Sequence, residues 1–176
     1  IAGLAEARQR WRNAHARHAE YGSLGFPSRP SLTRIVTSLS ALLFPLRLGP
    51  PELNPANENA FVEATLESAL SQLAAQIRLE LRYERPGDTA DAIERDVQSM
   101  IRGFARSLPD LRALLDSDVQ AAYAGDPAAR SVDEVLLCYP CVTAVIHHRL
   151  AHQLHRLGAP LVARIIAEVA HSRTGI

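Results

Sequence analysis

The chain has no lysine. All 19 of its basic side chains are arginines, they are balanced by 19 acidic ones, and the formal net charge is zero. With no basic excess to draw it to phosphates, its bulk charge argues against general nucleic-acid binding. Long apolar runs are also missing. None reaches the eighteen or so residues needed to cross a bilayer, and the opening IAGLAEARQRW has no signal-peptide core. The expectation is a cytoplasmic protein without a membrane partner. Only two cysteines occur, Cys138 and Cys141, too close together to staple a fold, which fits a reducing compartment. Low-complexity tracts, internal repeats and the alternating pattern of strands are absent too.

What is present is helical periodicity, so the predicted class is all-α, a multi-helix bundle. With 176 residues, 47% of them hydrophobic, the chain can build one well-buried core and has room for a subsidiary lobe. A first helix is predicted over Leu4–Tyr21, stopped by Gly22. A second runs from Pro30-Ser31 to about Phe44, followed by an irregular connection through Pro45 and LGPPELNPAN. A long third helix covers about Asn59–Arg85, with Phe61, Leu66, Leu70, Leu73, Ile77 and Leu81 at threes and fours. Pro86-Gly87 ends it. Asp88 or Thr89 then caps a helix carrying Ile93, Val97, Ile101 and Phe104. Pro109-Asp110 restarts the chain into another, with Leu111, Leu114, Leu115, Val119 and Tyr123 on its face.

Gly125-Asp126-Pro127-Ala128 combines three boundary signals. Gly125 suits the left-handed position that closes a helix, Asp126 can cap the next one, and Pro127 suits its first turn. Ser131-Val132-Asp133-Glu134 is a capping-box pattern opening a short helix. After Tyr139-Pro140 a helix reaches Leu157, where Gly158 and Pro160 stop it. A last helix covers about Leu161–Arg173.

The stretch LLCYPCVTAVIHHRLAHQLH sets a C-x-x-C pair before four histidines. Three readings are open. Cys138 and Cys141 with His148 and His152 could supply four zinc ligands. Pro140, however, starts a helix between the cysteines, and at about 5.4 Å per turn His148 lies roughly 10 Å from Cys141. Cys-Tyr-Pro-Cys also imitates a thiol–disulfide motif, but such motifs normally follow a strand. The plainest reading makes the cysteines small residues at a helix start. His148, His152 and His155 then share one face, lining a wet groove or an interface, and His147 points about 100° away. We favour this last reading, with no metal ligands assigned.

Without the cysteines the stretch is familiar. Asp126-Pro127-Ala128-Ala129-Arg130-Ser131, Asp133-Glu134-Val135-Leu136-Leu137, Tyr139-Pro140, His148-Arg149-Leu150-Ala151-His152, Gly158-Ala159-Pro160-Leu161 and Ala170-His171-Ser172-Arg173-Thr174-Gly175-Ile176 strongly resemble bacterial serine O-acetyltransferases of the longer type. The resemblance covers about residues 95–176 in one register. One position departs from it: Cys141 stands where the family usually has the glycine of Tyr-Pro-Gly.

The resemblance implies two regions, an N-terminal helical extension over 1–90 and the family's N-terminal helical domain over 91–176. It also implies that the chain stops at the junction to a left-handed β-helix of hexapeptide repeats. The implied reaction is acetyl transfer from acetyl-CoA to the hydroxyl of L-serine, the first step of cysteine biosynthesis. The family's catalytic histidine belongs to the β-helix part, so no catalytic residue is expected in this chain, and acetyl-CoA is a co-substrate of the complete enzyme rather than a cofactor held here. One site residue carries over: Asp126, as part of the serine pocket that L-cysteine also occupies as feedback inhibitor. The implied partners are further copies of the chain, as trimers or dimers of trimers, and a cysteine synthase. A stand-alone helical assembly module is the alternative, followed by a Cys/His metal-binding bundle.

Overall fold

The computed structural model describes residues 1–14 and 25–176, and among these the chain forms eight helices and no strand. The predicted all-α bundle is therefore what the chain adopts. Helix α1 (Ala2–Ala14) buries none of its residues. The predicted end of that helix, at Tyr21 and Gly22, lies outside the described residues.

Helix α2 (Arg29–Leu43) starts where Ser28 accepts the Ser31 N–H with its hydroxyl and Pro30 occupies the first turn. It buries Leu32, Ile35, Val36, Leu39 and Leu42 along one stripe. The connection predicted as irregular begins instead with a one-turn helix, α3 (Pro45–Leu48). Helix α4 (Glu58–Glu84) matches its prediction to within a residue at each end; its apolar face is fully buried only from Ala69 onward, while Phe61 and Leu66 stay half-buried.

The predicted break at Pro109 does not occur. Helix α5 (Ala90–Gly125) is 36 residues long with Pro109 inside it. An internal proline costs about 3 kcal/mol, through one lost hydrogen bond and a clash with the preceding turn. The apolar stripe continues through it unbroken: Val97, Met100, Phe104, Leu108, Leu111, Leu115 and Val119 are all buried at spacings of three and four. At roughly 1.5–3 kcal/mol per fully buried large side chain, the stripe outweighs the proline. The proline ring faces solvent.

Helices α6 (Val132–Cys138), α7 (Pro140–Leu157) and α8 (Pro160–Thr174) follow. As predicted, Gly158 ends α7. Its φ of 98° is left-handed, its N–H reaches the His155 carbonyl, and the Ala159 N–H reaches Leu154. Pro160 opens α8, which makes α7 and α8 a tight hairpin with the most extensive helix–helix contact in the bundle. Helix α2 packs on α4 and α8, and α5 packs on α4 and α7. One core cluster runs from Leu32 to Val169 and draws on helices either side of residue 90.

Long-range side chains also tie down helix ends, including one that lacks a local cap. Ala159 offers α8 no side-chain acceptor. Glu80 of α4, with no exposed surface, accepts the Leu161 N–H at 2.6 Å and the Val162 N–H at 2.8 Å instead. Burial pushes the Glu80 carboxyl up, against the lowering influence of those two donors. One turn earlier, Gln76 accepts the Ser28 N–H at 2.7 Å. At the other end of α2, the Arg112 guanidinium donates to the Leu43 carbonyl and sits 4.2 Å over the Phe44 ring.

Candidate functional site

The segment between α5 and α6 differs from its prediction in detail. Gly125 is the last helical residue rather than a left-handed stop, and no helix starts at Pro127. Asp126 caps nothing downstream. Its extended backbone (φ −120°, ψ 103°) leads into a turn closed by the Ala129 N–H on the Asp126 carbonyl at 3.1 Å. Within that turn Asp126 Oδ1 accepts the Ala128 N–H at 2.9 Å, an Asx turn of the kind aspartate favours. The next helix takes its cap from Ser131, whose hydroxyl accepts the Glu134 N–H at 3.0 Å, and Glu134 returns a carboxylate oxygen to the Arg130 N–H at 2.7 Å. That is the predicted capping box shifted by one residue on its return bond.

The other Asp126 oxygen meets a residue the sequence reading gave no role. Tyr139, between α6 and α7, donates its phenolic O–H to Asp126 Oδ2. The two half-buried side chains thus join the two ends of the α6 segment. The Tyr139 hydroxyl and then the Ala128 N–H hold the Asp126 carboxyl below its usual range. In return, the Asp126 hydrogen bond is the chief cause of a Tyr139 phenol pushed up to about 12. Asp126 is therefore a fixed carboxylate throughout the neutral range. No arginine or histidine among the described residues pairs with it. Each oxygen uses one acceptor site and keeps another open, so the group can receive an ammonium. The signal for Tyr139 was its place in the Tyr-Pro motif; its partner across 13 residues was not readable.

The cysteines and histidines do not converge. Cys138 ends α6 and Cys141 lies in the first turn of α7, both free and exposed, and Pro140 starts α7 as predicted. Cys141 is helical, a conformation that does not require glycine. His148, His152 and His155 are exposed, with the first two rings stacked 6.0 Å apart. His147 is buried. Its Nδ1–H donates to the Thr143 carbonyl at 2.7 Å, its Nε2 has no partner, and burial lowers its pKa. Among the described residues no group of three or more His, Cys, Asp or Glu is placed to hold a metal ion. No helix among them is long and apolar enough to cross a membrane.

A cleft of about 370 Å³ lies between α3, α5 and α6, but neither Asp126 nor Tyr139 lines it. Both arginines that line it are ion-paired, Arg47 with Asp133 and Arg112 with Asp116.

No family model matches the chain. A plasmid serine acetyltransferase of Synechococcus elongatus is 47% identical over 155 residues, which is 85% of this chain and 49% of that protein. Among solved structures, serine acetyltransferase isoform 3 of Entamoeba histolytica in complex with cysteine superposes with a TM-score of 0.65 at 25% identity, over 81% of this chain and 46% of that one. Serine acetyltransferase 1 of the same organism, in complex with L-cysteine, gives 0.61 at 27% identity, over 80% and 47%. Serine acetyltransferase homologues thus cover most of the chain, and the chain spans about half the length of these relatives.

Proposed function

We propose that this chain is the helical part of a cytoplasmic serine O-acetyltransferase and that it contributes Asp126 to the serine pocket. The observation that carries the reading is the Asp126 carboxylate, held on both oxygens, ionised, and unpaired by any cation among the described residues. Cysteine is bound in two structurally similar acetyltransferases. It shares with serine an α-ammonium that such a carboxylate recognises by charge-assisted hydrogen bonding.

In the reaction, the serine hydroxyl attacks the thioester carbonyl of acetyl-CoA while a base removes its proton and coenzyme A leaves as the thiol. We assign neither the base nor the acetyl-CoA site to these 176 residues. Asp126 acts on the ammonium end, so that binding energy orients the hydroxyl. We further propose that residues 1–90 are an extension packed on a family helical domain at 91–176, and that the bundle assembles with copies of itself and with a cysteine synthase.

The test is acetyl transfer from acetyl-CoA to L-serine by the protein expressed from its complete gene, with Asp126→Asn alongside. The reading requires a serine KM raised in the variant. Absence of acetyl transfer overturns the function, and an unchanged KM overturns the role of Asp126.

A further inference from the structure

The two cysteines of the C-x-x-C pair bracket Tyr139, the residue that holds Asp126. Cys138 is the last residue of α6, Cys141 is in the first turn of α7, and both are exposed. Tyr139, between them, is at once the C-cap of α6 and the N-cap of α7. Its N–H goes to the Val135 carbonyl, its own carbonyl takes the Val142 N–H, and its hydroxyl goes to Asp126. We propose that Cys138 and Cys141 form an oxidisable dithiol whose closure to a disulfide withdraws Tyr139 from Asp126.

The coupling follows from backbone geometry. Tyr139 is extended, with φ −88° and ψ 116°. An extended residue holds its two neighbouring Cα atoms roughly 7 Å apart, and Cys141 lies one residue farther on. A disulfide needs Cα atoms within about 4.4–6.8 Å. Closure therefore tightens the turn at Tyr139, a residue that Pro140 biases away from the helical region, and the phenol is displaced as the turn is forced out of its present geometry. Helix α6 has only seven residues; Val135 and Leu136 hold it in the core and the exposed Arg47–Asp133 pair ties it to α3, so the movement falls on its exposed end at Leu137 and Cys138 and on Tyr139.

The chemistry is thiol–disulfide exchange with a small soluble disulfide. One cysteine thiolate attacks a sulfur of that disulfide and expels one thiol. The second cysteine thiolate then attacks the mixed disulfide and expels the other. The two cysteine sulfurs lose two electrons and two protons in all, and the small disulfide becomes two thiols. That oxidation weakens the hold on an ammonium ligand rests on the function proposed above; the chemistry at the turn does not.

The experiment uses the chain itself, equilibrated with oxidised and reduced glutathione. Acid-quenched intact mass reports the bridge, and carbon-13 NMR of the Asp126 carboxyl reports the contact. The expected result is a monomer lighter by two hydrogens, with Asp126 titrating at higher pH than in the reduced chain. The oxidised chain should coincide with Tyr139→Phe. In Cys141→Ser the Asp126 titration should ignore the oxidant. Mixed disulfides alone, disulfide-linked dimers, or a bridged monomer with an unmoved Asp126 titration would each overturn the proposal. Because none of these readouts involves acetyl transfer, their failure is separable from failure of the assigned function.

Discussion

Glu80 and Asp126 are two carboxylates that each accept two hydrogen bonds, yet they do opposite things. Glu80 has no exposed surface and spends both oxygens on the backbone of α8; Asp126 sits at a half-buried turn, and its donors are one N–H and one phenol. Burial raises the Glu80 pKa, and hydrogen bonding without much burial lowers that of Asp126. The lesson is that hydrogen-bond count does not tell a structural carboxylate from one proposed to bind a ligand. Desolvation does. A group that must meet a ligand keeps a path to solvent and a carboxyl held low, whereas a group that closes a helix end gives up that path and has its charged form disfavoured.

The most damaging way to break this contrast is Glu80→Ala. Two backbone N–H groups at the start of α8 lose their acceptor, one of them fully buried, and at about 1–3 kcal/mol for a buried unsatisfied group the expected loss of stability is about 3 kcal/mol. Urea unfolding monitored by circular dichroism measures it, and a loss below about 1 kcal/mol would contradict the assigned role. Asp126→Asn should shift the same unfolding curve much less than Glu80→Ala does. Under the function proposed above, it should raise the serine KM of the complete protein roughly tenfold to a hundredfold, the range of a charged hydrogen bond. Gln76→Ala, which leaves only the Ser28 N–H without its acceptor, should cost about 1 kcal/mol.

The pH dependence sharpens the contrast further. A carboxyl with a raised folded pKa stabilises the fold most below its unfolded value of 4.5 and loses that contribution as pH rises through the folded pKa. Glu80→Gln should therefore remove a decline in stability that begins above about pH 4.5. Asp126 has the opposite sign: its contribution is present above 3.8 and lost as pH falls. Asp126→Asn should accordingly flatten part of the acid limb. Thermal unfolding from pH 3 to 7 on both variants checks the two signs, and curves that change in the same direction would refute the assignment.

The extent to which the sequence foretold this structure follows from how local each signal is. The α7–α8 hairpin was legible because Gly158 and Pro160 act on their own neighbours. The long α5 was not, because a proline is a local stop signal and the stripe from Phe104 to Leu115 that overrides it acts only once folded. Gly125 misled in the same way: three turn-forming residues in a row mark a boundary without saying which conformation each adopts. At the site, Asp126 could be named from its motif. Its turn, its tyrosine partner and the contrast with Glu80 depend on contacts across 13 and 81 residues, and nothing in the local pattern encodes those.

Helix α5 also has a mechanical side. At 36 residues it is a rod about 54 Å long, with Asp126 immediately beyond one end. Near the other end Arg78 of α4 and Arg85, its C-cap residue, clamp it through Glu94 and Asp96. Pro109, one hydrogen bond short, lies close to the midpoint. The buried stripe along the rod therefore ties the position of Asp126 to the packing of α4 and α7 on α5.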